Sequence, residues 1–392
     1  MSIISILRQW PLIILCTTSL IGCAAHVPFS AVPNEQNDLV YPLGKDNLRY
    51  WGDSSDLFFD EVYLSNFQQE KDDHHYLALS GGGANGAYGA GILTAWSEMG
   101  GRPDFDIVTG VSTGALIAVF AYLGEDYDDE LTEFYTTTET DDIFITKRIL
   151  NVLSGTALLD SSPLENTIRE TVTTELLDKV AEYNAQGRLL LVGTTDLGSQ
   201  RLSIWNMGEI AALKSDESQR LFEDIILASA SIPGAFPAVR INVEGKDDTY
   251  QELHVDGGVT RQVFLISDSL SVVNNQNKNH HIYVIRNGEF EPKVDDPELN
   301  LNYVASRSLS TLIKYQGRGD VMRIYNLAQR SNIDFYFSHM ESDMALAVEQ
   351  DPDQPFDSTY MQHLYKYGYE QTLIGNVWDD KPPQFNTFSV DL

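Results

Sequence analysis

The sequence predicts an α/β fold, a three-layer sandwich in which a mostly parallel central sheet carries helices on both faces. Two observations predict it. From Tyr76 onward, short apolar runs alternate with segments of helical periodicity. Each of the first two apolar runs also ends in a glycine-containing turn that leads into a helix, at residues 81–86 and 110–114. The 392 residues, 43% of them hydrophobic, suffice for a large globular domain.

The elements follow one another in a regular order. Residues 86–99 and 113–123 have the pattern of helices, and residues 299–330 are compatible with a long helix that would form a covering, lid-like layer. Period-2 and continuous apolar patterns predict the strands at residues 76–80, 105–110, 188–197, 201–207 and 280–288.

The N-terminus is typical of an exported protein. Residues 1–22 contain one cation, Arg8, then an apolar core and a small-residue end, which predicts a secretory signal peptide. Residues 20–23, Leu-Ile-Gly-Cys, resemble the bacterial lipobox, in which the cysteine is acylated, so Cys23 is the predicted lipid anchor. Ala24 follows instead of Asp, which in the enterobacterial pattern favours the outer membrane. An ordinary cleaved signal with an incidental cysteine is the alternative.

The rest of the chain divides into two parts. Residues 23–45 are polar and contain prolines, which predicts a tether between the lipid and the fold. Residues 46–392 are the predicted domain, with a core at about 75–290 and a helical extension beyond it.

Charge and cysteine content exclude several classes of protein. The net charge of −31 would repel nucleic acid, and the body of the protein gains nothing from anionic headgroups. The two cysteines, Cys16 and Cys23, leave no free thiol after export and acylation, which excludes a disulfide, a thiolate metal site or a cysteine nucleophile. The acidic runs 125–130 and 140–144 lack the spacing of a calcium loop, so no metal is expected.

The first glycine turn has two possible functions. Gly81, Gly83 and Gly86 fit G-x-G-x-x-G, the dinucleotide-binding pattern. That pattern also needs an acid at the end of the next strand, whereas Asp104 and Asp106 lie at its start. The interpretation as a nicotinamide oxidoreductase therefore rests on these glycines alone. The alternative is that their backbone N–H groups serve an anion that forms during a reaction.

The second glycine turn predicts a nucleophile. Residues 110–114, Gly-Val-Ser-Thr-Gly, fit the G-x-S-x-G elbow, in which a sharp strand-to-helix turn exposes the serine. Gly110 and Gly114 lack Cβ atoms and so allow close packing around Ser112. None of the later histidines lies in a glycine-shaped turn. The candidate base is instead Asp256, which ends an apolar strand and precedes two glycines, although such a sequence can also be a plain turn.

Four blocks together carry a resemblance to a family. They are GGGANG (81–86), GVSTG (110–114), ASASIPGAFPAV (228–239) and DGG (256–258). In this order they resemble the bacterial patatin-like phospholipases, and with their flanks they cover most of residues 75–290.

The resemblance implies a patatin-like α/β fold and a Ser–Asp dyad without histidine. Ser112 would be the nucleophile and Asp256 its base, and the N–H groups of Gly82, Gly83 and Ala84 would form the oxyanion hole. The chain departs from the family at Asn85, where an Arg or Lys is common. The 228–239 block, which contains Phe236 between Pro233 and Pro237, would form one wall of the acyl pocket.

The sequence therefore predicts a lipid-anchored serine acylhydrolase of the bacterial envelope. Its expected substrates are phospholipid, lysophospholipid or other acyl esters, and no cofactor or nucleic acid is implied. The alternative from another class is an envelope lipoprotein that keeps the fold and binds lipid without turnover.

Overall fold

A computed structural model describes residues 29–54, 71–146, 157–265, 279–294, 296–341, 350–351 and 354–383. The predicted signal peptide, residues 1–22, and the predicted acylation site, Cys23, lie outside these ranges. Within them, no helix combines the length and the apolar character needed to cross a bilayer.

The strands, in chain order, are β1 (Arg49–Trp51), β2 (Asp73–Leu79), β3 (Ile107–Val111), β4 (Ile145–Thr146), β5 (Leu159–Asp160), β6 (Leu189–Asp196), β7 (Arg201–Asn206), β8 (Val239–Glu244), β9 (Thr249–Asp256), β10 (Asn279–Glu289) and β11 (Asp334–Met340). The α-helices are α1 (Gly86–Glu98), α2 (Thr113–Leu123), α3 (Asp128–Thr137), α4 (Thr140–Ile143), α5 (Ser162–Thr171), α6 (Thr174–Ala185), α7 (Met207–Ala212), α8 (Asp216–Ser229), α9 (Leu301–Ser331) and α10 (Ser358–Leu373).

Nine of these strands form one mixed sheet. Seven of them have the order β1-β7-β6-β3-β2-β10-β11, and in addition β9 pairs with β6 and β8 pairs with β9. The five strands β6, β3, β2, β10 and β11 run parallel, as the alternation of strand and helix predicts. β1, β7, β8 and β9 pair antiparallel with their neighbours. The carboxyl ends of β2 and β3 therefore meet at one edge of the sheet, and β9 also ends there, opposite Thr194 near the end of β6.

The sheet is buried on both faces. In β2, Leu77 and Leu79 point into the core formed with α1, α2, α8 and α10, whereas Tyr76 and Ala78 point to the other face. The second half of α9 covers that other face with Val321, Ile324 and Ala328. This arrangement confirms a layered fold with helices on both sides of the sheet. It also explains why the parallel strands are continuous apolar runs.

The long helix predicted at 299–330 is present as α9, but only part of it covers the sheet. Its residues up to about Gln316 are largely exposed, and the buried residues lie mainly beyond that point. The helix ends where Asn332 adopts a left-handed conformation, with a φ of 50°.

The N-terminal segment lies against the sheet from residue 30 onward. The Gln251 N–H donates to the Ser30 carbonyl, and Tyr41 exchanges two backbone hydrogen bonds with Glu244 of β8. Arg49 forms a buried ion pair with Glu252 of β9. The predicted tether comprises residues 23–45, of which the structure describes residues 29–45. In this described part, Val40 and Pro42 are buried against the domain, so it packs on the fold rather than extending away from it.

Candidate active site

Ser112 occupies a strained turn between β3 and α2. Its φ of 57° and ψ of −130° belong to a region that residues with a side chain rarely adopt. A Cβ atom on Gly110 would lie 2.3 Å from the Gly114 carbonyl oxygen, and one on Gly114 would lie 2.5 Å from the Leu79 carbonyl oxygen. A side chain would therefore clash at either glycine. Because both positions are glycine, β3 and α2 can approach closely enough to hold the serine in this conformation.

A second serine holds the backbone of this turn. The Ser112 N–H donates to Ser229 Oγ at 2.9 Å, and the Ser229 hydroxyl donates to the Gly193 carbonyl of β6 at 2.8 Å. Ser229 is fully buried at the end of α8. It lies in the 228–239 block, but sequence analysis did not assign it a role, since nothing in the local pattern separates it from its neighbouring serines.

Asp256, the last residue of β9, lies near Ser112. The Asp256 carboxylate accepts the Gly258 N–H at 2.7 Å. Burial of the carboxyl group raises the pKa of Asp256 to about 6, although interactions with the Ser112 side chain and the Gly258 N–H oppose the rise. The predicted nucleophile thus interacts with the predicted base, and that base is stronger than an exposed aspartate.

His254 lies two residues before Asp256 but is engaged elsewhere. Its Nδ1 shares a hydrogen bond with Thr194 Oγ1 at 2.9 Å, and its Nε2 shares one with Glu252 Oε2 at 3.0 Å. Since both ring nitrogens have partners, this histidine has no free nitrogen for the Ser112 hydroxyl. Among the described residues, no group of three or more His, Cys, Asp and Glu side chains is placed to hold a metal ion.

The glycine turn after β2 lies beside Ser112. A Cβ atom on Gly81 would lie 3.1 Å from Ser112 Cβ, and Gly83, with a φ of 58°, is in the left-handed region that favours glycine. The N–H groups of Gly81, Asn85 and Gly86 donate to backbone carbonyls. Within the described parts of the chain, those of Gly82, Gly83 and Ala84 have no acceptor, which leaves three donors in this turn for a bound anion.

Asn287, at the end of β10, fixes this turn from behind. Its N–H donates to Ser80 Oγ at 2.9 Å and its side-chain amide donates to the Ser80 carbonyl at 3.0 Å. The Asn287 side-chain oxygen in turn accepts the Gly89 N–H at 3.2 Å. A Cβ atom on Gly82 would lie only 2.1 Å from the Asn287 carbonyl oxygen, so the turn packs directly on β10.

Asn85, the predicted departure from the family pattern, contacts α10. The Tyr360 hydroxyl donates to Asn85 Oδ1 at 2.8 Å. This contact fixes the amide, so that its oxygen faces Tyr360 and its NH₂ group points away from it.

The turn after Asp256 is held by a buried polar network. The Gln262 side chain donates to the Gly258 carbonyl at 2.9 Å, and its backbone N–H donates to Asp320 of α9 at 2.8 Å. Arg286 of β10 donates to the Gln262 side-chain oxygen at 3.4 Å, and burial lowers the pKa of Arg286 to about 10. Sequence analysis did not find these residues, because their elements are separate in the chain and meet only in the fold.

A narrow apolar cavity of about 30 Å³ lies beside Ser112 and Gly83. Among the side chains that line it are Ile232 and Phe236. The 228–239 block therefore contributes a wall beside the serine. The cavity holds little more than one water molecule, so its apolar side chains would have to move apart to admit a hydrocarbon chain.

Comparison with known proteins shows similarity to one family. The family model described as patatin-like phospholipase matches residues 77–266, from β2 to just beyond the turn that follows Asp256. A 63-residue stretch is 46% identical to the cUMP-AMP-activated phospholipase of Escherichia coli and covers 15% of this chain and 19% of that protein.

Two solved structures overlap with larger parts of the chain at low identity. VipD from Legionella pneumophila is 12% identical with a TM-score of 0.39, over 78% of this chain and 66% of VipD. ExoU from Pseudomonas aeruginosa, solved with SpcU, is 15% identical with a TM-score of 0.26, over 78% of this chain and 60% of the matched chain. The chain thus spans less than two thirds of the length of the proteins it matches here.

Residues 77–266, slightly less than half of the chain, thus match the patatin-like phospholipase family model, and the fold is a mixed central sheet with helices around it. This confirms the predicted fold class. The family match also supports lipid hydrolase activity.

Proposed function

We propose that this protein is a serine hydrolase that cleaves carboxylic ester bonds of lipids, with Ser112 as nucleophile and Asp256 as its base. The observation that carries the proposal is that Ser112, in a strained turn beside an apolar cavity, interacts with the buried carboxylate of Asp256. The match to the patatin-like phospholipase family model supports lipid as the substrate class.

Acylation starts from Ser112 and the ionised form of Asp256. The Ser112 oxygen attacks the ester carbonyl carbon while the Asp256 carboxylate accepts the hydroxyl proton. The C–O bond to the leaving alcohol then breaks, and Asp256 returns the proton to that alcohol. Because the Ser112 side chain interacts with Asp256, the proposed transfer needs no third group to carry the proton.

The tetrahedral intermediate carries a negative charge on the former carbonyl oxygen. The N–H groups of Gly82, Gly83 and Ala84 are the proposed oxyanion hole, and the positive end of α2, which begins at Thr113, adds to the stabilisation. Backbone donors held by Asn287 and Ser80 need no reorganisation during the reaction, which is the property that makes such a site effective.

Deacylation repeats the same steps with water. Asp256 accepts a proton from water, the resulting hydroxide attacks the acyl carbon, and the Ser112 oxygen leaves with the proton returned by Asp256. The acyl chain would enter between Ile232, Phe236 and Phe356 once these apolar side chains move apart, since the cavity between them is only about 30 Å³.

The proposed location is the bacterial envelope. The lipobox-like residues 20–23 support acylation of Cys23 and anchoring of the domain to a membrane, and Ala24 supports the outer membrane. The proposed substrates, phospholipid or lysophospholipid, would then lie in the membrane that carries the enzyme.

The test is hydrolysis of p-nitrophenyl butyrate and of lysophosphatidylcholine by purified variants. Ser112→Ala and Asp256→Asn are expected to lower kcat by a factor of about 10³ or more, with unchanged circular dichroism. Matched controls are Ser203→Ala, which removes a buried hydroxyl with no hydrogen-bond partner, and Asp104→Asn, which removes an exposed carboxylate. Both controls should keep full activity. Full activity in Ser112→Ala would refute the proposal.

A further inference from the structure

The first half of α9 has an exposed apolar face. Leu301, Val304, Leu312 and Tyr315 are exposed by 85%, 52%, 69% and 51%. At 3.6 residues per turn, these four side chains lie within a sector of roughly 80° on the helix. Single exposed apolar residues are ordinary on a protein surface, but a continuous stripe of this kind is typical of an interaction site.

The second half of the same helix is different. Val321, Ile324 and Ala328 are buried against the sheet, so the fold already fixes the direction of the helix. The apolar stripe is therefore not needed for packing within the described domain, and it is held in a defined orientation.

The charge of this half-helix is also unusual for the chain. Residues 301–319 contain three cations, Arg307, Lys314 and Arg318, and no Asp or Glu, although the whole chain has a net charge of −31. On the helix these cations lie in a sector of roughly 40° that borders the apolar stripe.

Neighbouring groups hold these three cations in place. Arg307 donates to the Lys293 carbonyl, Lys314 contacts Glu289 at 3.2 Å, and Arg318 stacks on Phe290. Arg318 is only 6% exposed and Lys314 is paired with Glu289, so neither presents a free charge beside the stripe. An exposed apolar stripe that carries a tyrosine fits the boundary between lipid headgroups and acyl chains.

The stripe is close to the candidate active site. The Gln316 side chain donates to the carbonyl of Val259, three residues after Asp256, at 3.2 Å. Val259 is itself 47% exposed, which extends the apolar surface from α9 towards that turn.

We propose that the first half of α9, Leu301–Gln316, lies on the surface of a phospholipid bilayer and orients the candidate active site towards it. Binding to the bilayer is independent of catalysis, whereas delivery of lipid to Ser112 rests on the proposed function. A second copy of the chain is the other occupant of an apolar face, and sedimentation velocity distinguishes it from a bilayer.

The test uses the predicted mature chain, residues 23–392, with Cys23→Ser to remove acylation and Ser112→Ala to remove turnover. Its co-sedimentation with phosphatidylcholine vesicles is compared with that of the same protein carrying Leu301→Glu and Leu312→Glu. The matched control carries Leu39→Glu and Met99→Glu, at positions exposed by 62% and 54% outside this helix. All three proteins are also examined by sedimentation velocity.

We expect vesicle binding by the parent and the control, and binding at least about tenfold weaker in the α9 variant, because charges would replace two leucines that the proposal buries in the bilayer. Equal binding by all three proteins, or no binding by the parent, would overturn the proposal. So would a dimer that the α9 changes dissociate. A parent that binds vesicles but whose Ser112-containing form hydrolyses nothing would leave this inference standing and refute the proposed function alone.

Discussion

Asp256 differs from an exposed aspartate in two ways. Its burial raises the pKa to about 6, so it is a better proton acceptor than an ordinary aspartate. It also interacts with the Ser112 side chain, the hydroxyl whose proton it would accept. Because the pKa is still below neutrality, the carboxylate remains mostly ionised at pH 7, which is the form that the proposed mechanism requires.

This pKa predicts the pH dependence of the reaction. The kcat/KM for p-nitrophenyl butyrate should be constant above about pH 7 and fall below about pH 6, approaching tenfold per pH unit, because protonated Asp256 cannot accept the Ser112 proton. Initial rates measured from about pH 4.5 to about pH 8.5 test this.

Asp224 provides the control for that profile. Burial raises its pKa to about 6 as well, but it lies on α8 beside Glu165 and Arg169 and does not line the cavity. Asp224→Asn should therefore keep the inflection. A profile that is flat through pH 6 in the parent, or that loses its inflection in Asp224→Asn, would contradict the assignment to Asp256.

At the scale of elements, α9 and β10 support the site from behind. Asp320 of α9 accepts the backbone N–H groups of Gln262 and Val263 in the segment after Asp256, and Asn287 of β10 holds the glycine turn. The candidate oxyanion donors and the candidate base are thus positioned by elements that contribute no reacting group.

Asp320→Ala tests this support. It would leave two buried N–H groups without an acceptor, at a cost of about 1–3 kcal/mol each, so we expect the free energy of unfolding to fall by about 2–6 kcal/mol. The value of kcat should also fall, since the turn that carries Asp256 would be less constrained. Urea denaturation and steady-state kinetics measure the two effects.

Asp320→Asn is the matched variant for that experiment. It keeps one side-chain oxygen as an acceptor and should lose less stability than Asp320→Ala. If the alanine variant is as stable and as active as the parent, Asp320 does not support the site in the way described.

At the scale of the whole molecule, the stability of the protein should reflect the burial of Asp256. A carboxyl group whose pKa is higher in the folded state than in the unfolded state stabilises the fold below its unfolded value of about 3.8. That contribution is lost as the pH rises through about 6. At pH 8 the ionised group should cost about 3 kcal/mol, from about two pKa units at 1.36 kcal/mol each.

Asp256→Asn should therefore be more stable than the parent at pH 8, by up to about 3 kcal/mol, with a difference that shrinks towards about pH 4. Denaturation curves at the two pH values, with Asp104→Asn as the exposed control, measure it. A variant that is less stable at pH 8 than at pH 4, relative to the parent, would show that the hydrogen bonds of the carboxylate outweigh its burial.

Much of the fold could be predicted because its local patterns are strong. The helix predicted at 113–123 has the same bounds as α2, and the Ser112 turn lies where the glycine spacing indicates. Local sequence patterns do not determine the direction of a strand or which strand pairs with it. The antiparallel pairing of β9 with β6, which brings Asp256 to Ser112, depends on contacts between residues about 60 positions apart in the chain.

The supporting residues of the site were not predictable for the same reason. Ser229, Gln262 and Asn287 are polar residues in ordinary local sequence, and their roles come from partners far along the chain. The long helix was predicted, but the exposure of its first half was not, because a pattern of apolar residues does not show which of them find a partner.

The central claim is that Ser112 is a nucleophile activated by Asp256, and labelling with a fluorophosphonate probe tests it most directly. After digestion, mass spectrometry should find one adduct, on the peptide that contains Ser112, with labelling abolished in Ser112→Ala and slowed at least about a hundredfold in Asp256→Asn. An adduct on a different serine, or ester hydrolysis by a protein that the probe does not label at Ser112, would contradict the account.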